Sequence, residues 1–211
     1  MATLIRMKTT YLSRRLNGTL MTPQEFDAAT RYDERYVYEL IHGVLIVNPI
    51  PLESEVGPNE YLGYLLLAYW ETHPQGAAMS ATLPERYIAT KDGRRRVDRL
   101  IWTGRGRLPD WEKELANIAV EFVSAARRDR VRDYEEKRDE YMALKLDEYW
   151  IIDRFQRIMT VYRSGGRGKK VIVVQENETY TTPLLPGFEL PLKRILEIAD
   201  KMQRPKKPRR R

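Results

Sequence analysis

The sequence contains no cysteine and only two histidines, His42 and His73. The first absence removes disulfides, thiolate zinc sites, iron–sulfur clusters and cysteine nucleophiles. The second leaves no spacing that would build a histidine zinc site or a Ser-His-Asp triad. Long apolar runs are missing too: the longest, Tyr61 to Trp70, falls short of the ~20 residues that cross a bilayer. Residues 1–20 lack the continuous apolar segment of a secretory signal. These absences lead to the expectation of a cytoplasmic protein with no membrane association.

Charge is present in quantity and is unevenly placed. The formal net charge of +7 reflects 37 Lys+Arg against 30 Asp+Glu. Residues 201–211 hold seven of those bases and no acid, Lys206, Lys207, Arg209, Arg210 and Arg211 among them, which leaves 30 bases against 30 acids in residues 1–200. The basic character therefore belongs to a tail, in which Pro205 and Pro208 disfavour a helix. Such a tail is attracted to nucleic-acid phosphates by counterion release, or is simply solvated. With 211 residues, 42% of them apolar, the chain suits one globular domain. The expected division is an N-terminal extension over 1–20, a domain over 21–200, and a basic, disordered tail over 201–211.

Local signals outline the domain. Thr22-Pro23-Gln24-Glu25 is a capping box with proline in the first turn, predicting a short helix to about Ala29. Arg35 to Ile41 and Val44 to Asn48 flank His42-Gly43 as a hairpin. Leu62, Leu65, Leu66, Tyr69 and Trp70 recur at helical steps within a helix predicted from Asn59 to Thr72. Strands are predicted in 79–88 and 95–102 around a Lys91-Asp92-Gly93 turn. Two near-continuous apolar strands, Asn117 to Val123 and Glu148 to Asp153, flank a charged helix predicted from Arg127 to Lys145. That strand–helix–strand order is a crossover and implies a parallel pair in a mixed sheet. A hairpin of Ile158 to Arg163 with Lys170 to Gln175, a strand near Tyr180 and a helix from Leu192 to Asp200 complete an α/β (α+β) domain.

Three features can carry chemistry. Asp98 lies in a strand-like run. Glu121 interrupts an apolar strand, where an ionised carboxylate is costly without a cation or strong donors. Asp133, Lys137 and Tyr141 fall at four-residue steps and share a helix face. Two strand carboxylates and a lysine from the following helix are the parts needed for metal-dependent phosphodiester hydrolysis. Each has a plainer reading as well. Asp98 could be a surface ion pair with its neighbouring arginines, Glu121 the partner of a buried arginine, and Asp133–Lys137 an ordinary helix salt bridge.

At these residues the chain resembles the PD-(D/E)XK nuclease superfamily, and specifically its Uma-two family of restriction-type endonucleases. The resemblance rests on Tyr38-Glu39-Leu40-Ile41-His42-Gly43 with Asn48-Pro49, on Val97-Asp98, and on Val120-Glu121-Phe122-Val123-Ser124. It continues through Asp133, Lys137 and Tyr141 to Glu148-Tyr149-Trp150-Ile151-Ile152-Asp153 and Leu185-Pro186-Gly187-Phe188. It implies a restriction-endonuclease-like mixed β-sheet flanked by helices and an endonuclease cutting DNA with Mg²⁺ or Mn²⁺. Asp98 and Glu121 would be the metal ligands. The superfamily's lysine position, two residues after the second acid, is Val123 here, and the resemblance implies that Lys137 supplies the amine instead. Asp133, Tyr141 and Glu39 would support the site. Val97, His42, Ala125 and Lys145-Leu146 depart from the family pattern. They motivate an alternative, a catalytically inactive nucleic-acid-binding or interaction module that retains the fold. Cutting both strands needs two active sites, which a homodimer would supply.

Overall fold

His42 and Gly43 have φ of 48° and 74°, the two consecutive left-handed residues that let a two-residue turn match the twist of its strands. They join β3 (Tyr36–Ile41) to β4 (Val44–Pro49) in antiparallel register, Ile41 opposite Val44 and Tyr36 opposite Pro49. In chain order the other elements are β1 (Tyr11–Leu12), α1 (Pro23–Asp27), β2 (Arg31–Tyr32), α2 (Glu53–Thr72), β5 (Met79–Ala89), β6 (Arg94–Thr103) and β7 (Ile118–Phe122). A π-helical turn (Arg132–Lys137) continued by α3 (Arg138–Ala143) follows, then β8 (Glu148–Asp153), β9 (Ile158–Arg163), β10 (Lys170–Gln175), β11 (Thr179–Thr182), β12 (Leu185–Pro191) and α4 (Leu192–Lys201). The computed structural model describes residues 11–124, 132–165 and 170–203.

The chain divides into two units, residues 1–50 with 87–96, and residues 51–86 with 97–211. In the first, Thr22 and Glu25 cap α1 reciprocally, Leu40 pairs with Arg94 at the start of β6, and Leu12, Phe26, Tyr38, Leu40 and Leu45 form a small core.

The second unit is built on a mixed sheet in the order β10-β9-β8-β7-β6. β7 and β8 are the parallel pair, and every other pairing along that order is antiparallel. Alternation along the strands gives the sheet two different faces. Val120, Phe122, Trp150 and Ile152 point to one face, where they form a single core with Leu62 and Leu66 of α2 and Ile195 and Leu196 of α4. Tyr149 faces the other way and meets Tyr141 of α3 edge-on, ring centroids 5.1 Å apart. The expected mixed sheet flanked by helices is what the structure has.

Glu148 anchors this sheet. Fully buried, it accepts hydrogen bonds from Trp150 Nε1 (2.8 Å), Arg163 Nε (2.7 Å), the Tyr180 hydroxyl (2.9 Å) and the Thr182 hydroxyl (2.8 Å). Four donors are what allow a carboxylate to stay in a core.

β1 and β2 lie where no strand was expected, and two further elements differ from the sequence expectation. α2 begins at Glu53 rather than Asn59 and runs through Pro58; its start is fixed by the Glu55 carboxylate, which accepts the Leu52 N–H at 2.9 Å. Gly57, which reads as a breaker, leaves the room that the Met202 side chain fills: a Cβ there would overlap the Met202 sulfur. Leu185-Pro186-Gly187-Phe188 is not only a turn but most of β12, paired with β11.

Candidate active site

The last rungs of the β6–β7 ladder are Ile101 opposite Ile118, Leu100 opposite Ala119 and Arg99 opposite Val120. Asp98 is the next residue beyond that ladder, and alternation along the strands puts it on the same sheet face as Glu121. There the regular ladder stops. Asp98 Oδ2 accepts the Phe122 N–H at 2.7 Å, taking the place of the strand carbonyl that would otherwise receive it. In an extended strand the N–H and C=O of one residue point to the same side, so the Phe122 carbonyl also faces this edge.

Glu121 is 4% exposed. Its Oε1 accepts from Lys137 Nζ at 2.8 Å and lies 3.4 Å from the Tyr141 hydroxyl. Lys137 and Tyr141 are one helical turn apart, which is why one carboxylate oxygen can meet both. Both are buried, at 2% and 0% exposure. Lys137 closes the π-helical turn; such turns are rare and are frequent at functional sites. The amine thus reaches the carboxylate face from the crossover helix. Val123, the superfamily's lysine position, is buried and gives its N–H to Ile152.

Lys137 and Tyr141 thus meet Glu121, and Asp98 meets the amide of the residue beside it. Glu39 lies in the other unit, buried on β3, where it accepts from the Arg96 N–H at 3.2 Å and from Asn48 Nδ2 at 3.4 Å. The side chain of Asp133 and the tail bases Lys206, Lys207, Arg209, Arg210 and Arg211 lie outside the described residues.

Sequence reading missed Asn59 and Arg99. Arg99 Nε donates to Asn59 Oδ1 at 2.7 Å, and Asn59 Nδ2 donates to the Asp98 carbonyl at 2.8 Å. The signal was there in part: Arg99 directly precedes the apolar run Leu100-Ile101-Trp102, and Asn59 shares a helix face with Leu62 and Leu66.

A family model described as "Putative restriction endonuclease" matches residues 23–193. The chain belongs to the Uma2 family. Membership makes it an endonuclease by family and nucleic acid its class of substrate. A crystal structure from Anabaena variabilis ATCC 29413, of a putative nuclease belonging to DUF820, superposes with a TM-score of 0.62 at 15% identity, covering 85% of this chain and 99% of that one. At that identity the likeness is one of fold. No curated protein matches the chain. Among the described residues no helix is long and apolar enough to cross a membrane.

Proposed function

We propose that this Uma2 protein is a divalent-metal-dependent endonuclease acting on DNA, with Asp98 and Glu121 as the ligands of Mg²⁺ or Mn²⁺ and Lys137 as the amine of the site. The observation that carries the reading is the Lys137–Glu121 contact, 2.8 Å, on the strand whose next amide is held by Asp98.

The donor set fits a hard cation: two carboxylates from adjacent strands and one carbonyl edge, all oxygen, with no cysteine in the chain. Among the described residues no three His, Asp or Glu side chains converge. Water and substrate oxygens would therefore complete the shell, as is usual for Mg²⁺. Such an ion supplies neutralisation of phosphate charge and acidification of a coordinated water.

The residues themselves supply position and protons. The Phe122 amide fixes the Asp98 carboxylate in one orientation. Tyr141 and Lys137 do the same for Glu121. An ammonium has three donors, so Lys137 can hold Glu121 with one and direct another at the attacking water or at the developing anion. The basic tail would add phosphate contacts that carry no sequence information.

Plasmid cleavage tests the reading. Cutting with Mg²⁺ that is abolished by EDTA and lost in Lys137→Ala is expected. Activity insensitive to EDTA, or none with any divalent ion, would overturn it. Binding of nucleic acid without cleavage, and without any metal affinity that depends on Asp98 and Glu121, would instead show the inactive module.

A further inference from the structure

Arg99 is 3% exposed and its three hydrogen bonds go to neutral groups. Nε donates to Asn59 Oδ1 (2.7 Å), Nη2 to the Asn59 main-chain carbonyl (3.0 Å) and Nη1 to the Thr82 hydroxyl (3.3 Å). Among the described residues no carboxylate bonds to it; Glu60 and Asp98 act on it only through space, and both favour its charged form. Taking a guanidinium out of water among neutral partners carries a desolvation cost. The helix is shaped to admit it: a Cβ at Gly63 would come within 2.6 Å of Nη2, and Gly63 lies one turn after Asn59 on the same face.

The cost has a local return. Guanidinium can only donate and a main-chain carbonyl can only accept. An amide placed between Arg99 Nε and the Asp98 carbonyl therefore satisfies both in one orientation alone, with Oδ1 toward the arginine and Nδ2 toward Asp98. Arg99 clasps Asn59 at two points, side chain and main chain, and so removes the freedom of the amide to turn.

We infer that Asn59, locked by Arg99, is a positioning residue that holds the Asp98 peptide and so fixes where the Asp98 carboxylate stands on the sheet face it shares with Glu121. This rests on the reading of Asp98 and Glu121 as metal ligands. Groups that orient ligands in this way change metal affinity by roughly 10–100-fold when removed.

Asn59→Asp separates positioning from packing. It keeps an oxygen for Arg99 and gives the buried guanidinium a counter-charge, but it turns a lone pair on the Asp98 carbonyl where a donor stood. Thr82→Val is the control: it removes another Arg99 partner and leaves the Asn59–Asp98 bond intact. Mn²⁺ affinity is read by calorimetry and stability by thermal unfolding. For Asn59→Asp we expect an unfolding temperature at or above wild type with Mn²⁺ binding weakened about tenfold or more. For Thr82→Val we expect lower stability with Mn²⁺ binding unchanged. Wild-type Mn²⁺ affinity in Asn59→Asp overturns the inference. So does equal weakening in Thr82→Val, which would mean that stability alone sets affinity, and this comparison decides the matter if Asn59→Asp proves less stable. A wild-type protein that binds no Mn²⁺ overturns the metal-site reading itself, and the inference with it.

Discussion

Asp98 Oδ2 and the Phe122 main-chain nitrogen are 2.7 Å apart, so a single carboxylate both ends the β6–β7 ladder and stands against the strand that presents Glu121. The acid of one strand is fixed by the backbone of the next. That linkage makes the site a property of the sheet and not of a loop, which keeps its geometry tight.

Asp98→Asn should expose the two roles separately. Asparagine retains an acceptor for the Phe122 amide, and removing the charge is expected to abolish Mn²⁺ binding and cleavage while leaving urea-unfolding stability near wild type. Asp98→Ala leaves the amide without its acceptor and should cost a further ~1–3 kcal/mol. Calorimetric titration and urea denaturation of the two variants check this.

The Lys137–Glu121 pair is buried on both sides, so its halves depend on each other. Lys137→Met strips a buried carboxylate of this cation, expected to cost up to about 3–5 kcal/mol. Adding Glu121→Gln removes the stranded charge and should recover much of that loss. A double-mutant cycle by urea unfolding should give a coupling of at least ~1 kcal/mol. Cleavage should be lost in all three variants.

How much of this was legible depended on whether the cause was local. The His42-Gly43 turn, the α1 capping box and the apolar β7 and β8 strands are each dictated by a few adjacent residues, and the structure has them where the sequence puts them. The spacing of Lys137 and Tyr141 shows that they share a face. Which carboxylate they meet is set by the crossover between β7 and β8. The first turn of α2 was hidden because Pro51, Gly57 and Pro58 all argue locally against helix, while the contact that uses Gly57, with Met202, comes from the far end of the unit. β12 was hidden for the same reason. Gly187, at φ 78°, packs under His73 at the C-terminal cap of α2, a tertiary constraint that reads in sequence as a turn. Asn59 and Arg99 are 40 positions apart, and no periodicity reports a bond between them.

Lys145 offers a stability test away from the site. The chain leaves α3 with Lys145 N–H on Met142 and Leu146 N–H on Tyr141, a helix end that calls for a left-handed residue, and Lys145 adopts φ 64°. A lysine there is strained by about 1–2 kcal/mol relative to glycine. Lys145→Gly should therefore raise stability by ~1 kcal/mol, measured by urea midpoint, with metal affinity unchanged. A loss of stability would show that the lysine side chain itself contributes more than the strain costs.

Glu114 gives one segment of the second unit an acid-labile clasp. It accepts from Arg107 Nη1 (2.8 Å), the Asp110 N–H (2.9 Å) and Arg105 Nε (2.9 Å), and these donors, the Arg107 bond foremost, lower its pKa to about 2. Because the folded value lies below the ordinary carboxyl value of 4.5, the contribution is complete above that value and is lost as the pH falls from there toward 2. Trp102 Nε1 bonds the Glu114 carbonyl, and Trp111 packs edge-on against Trp102. Tryptophan fluorescence should therefore change over that window before global unfolding, and Glu114→Gln should remove the transition. A transition that persists in Glu114→Gln would assign it to other carboxylates.

Residues 204–211 contain six bases and no acid, and their effect on nucleic-acid binding is measurable without knowing the target. Each phosphate they contact releases counterions and steepens the plot of log affinity against log salt concentration by about 0.9 on duplex DNA. A chain ending at residue 203 should therefore bind a non-specific duplex more weakly at low salt and with a shallower slope. Its Mn²⁺ affinity should not change, because the described part of the site, from Asp98 to Tyr141, is retained. An identical slope with and without the six bases would show that the tail is solvated and that phosphate contacts come from the folded units.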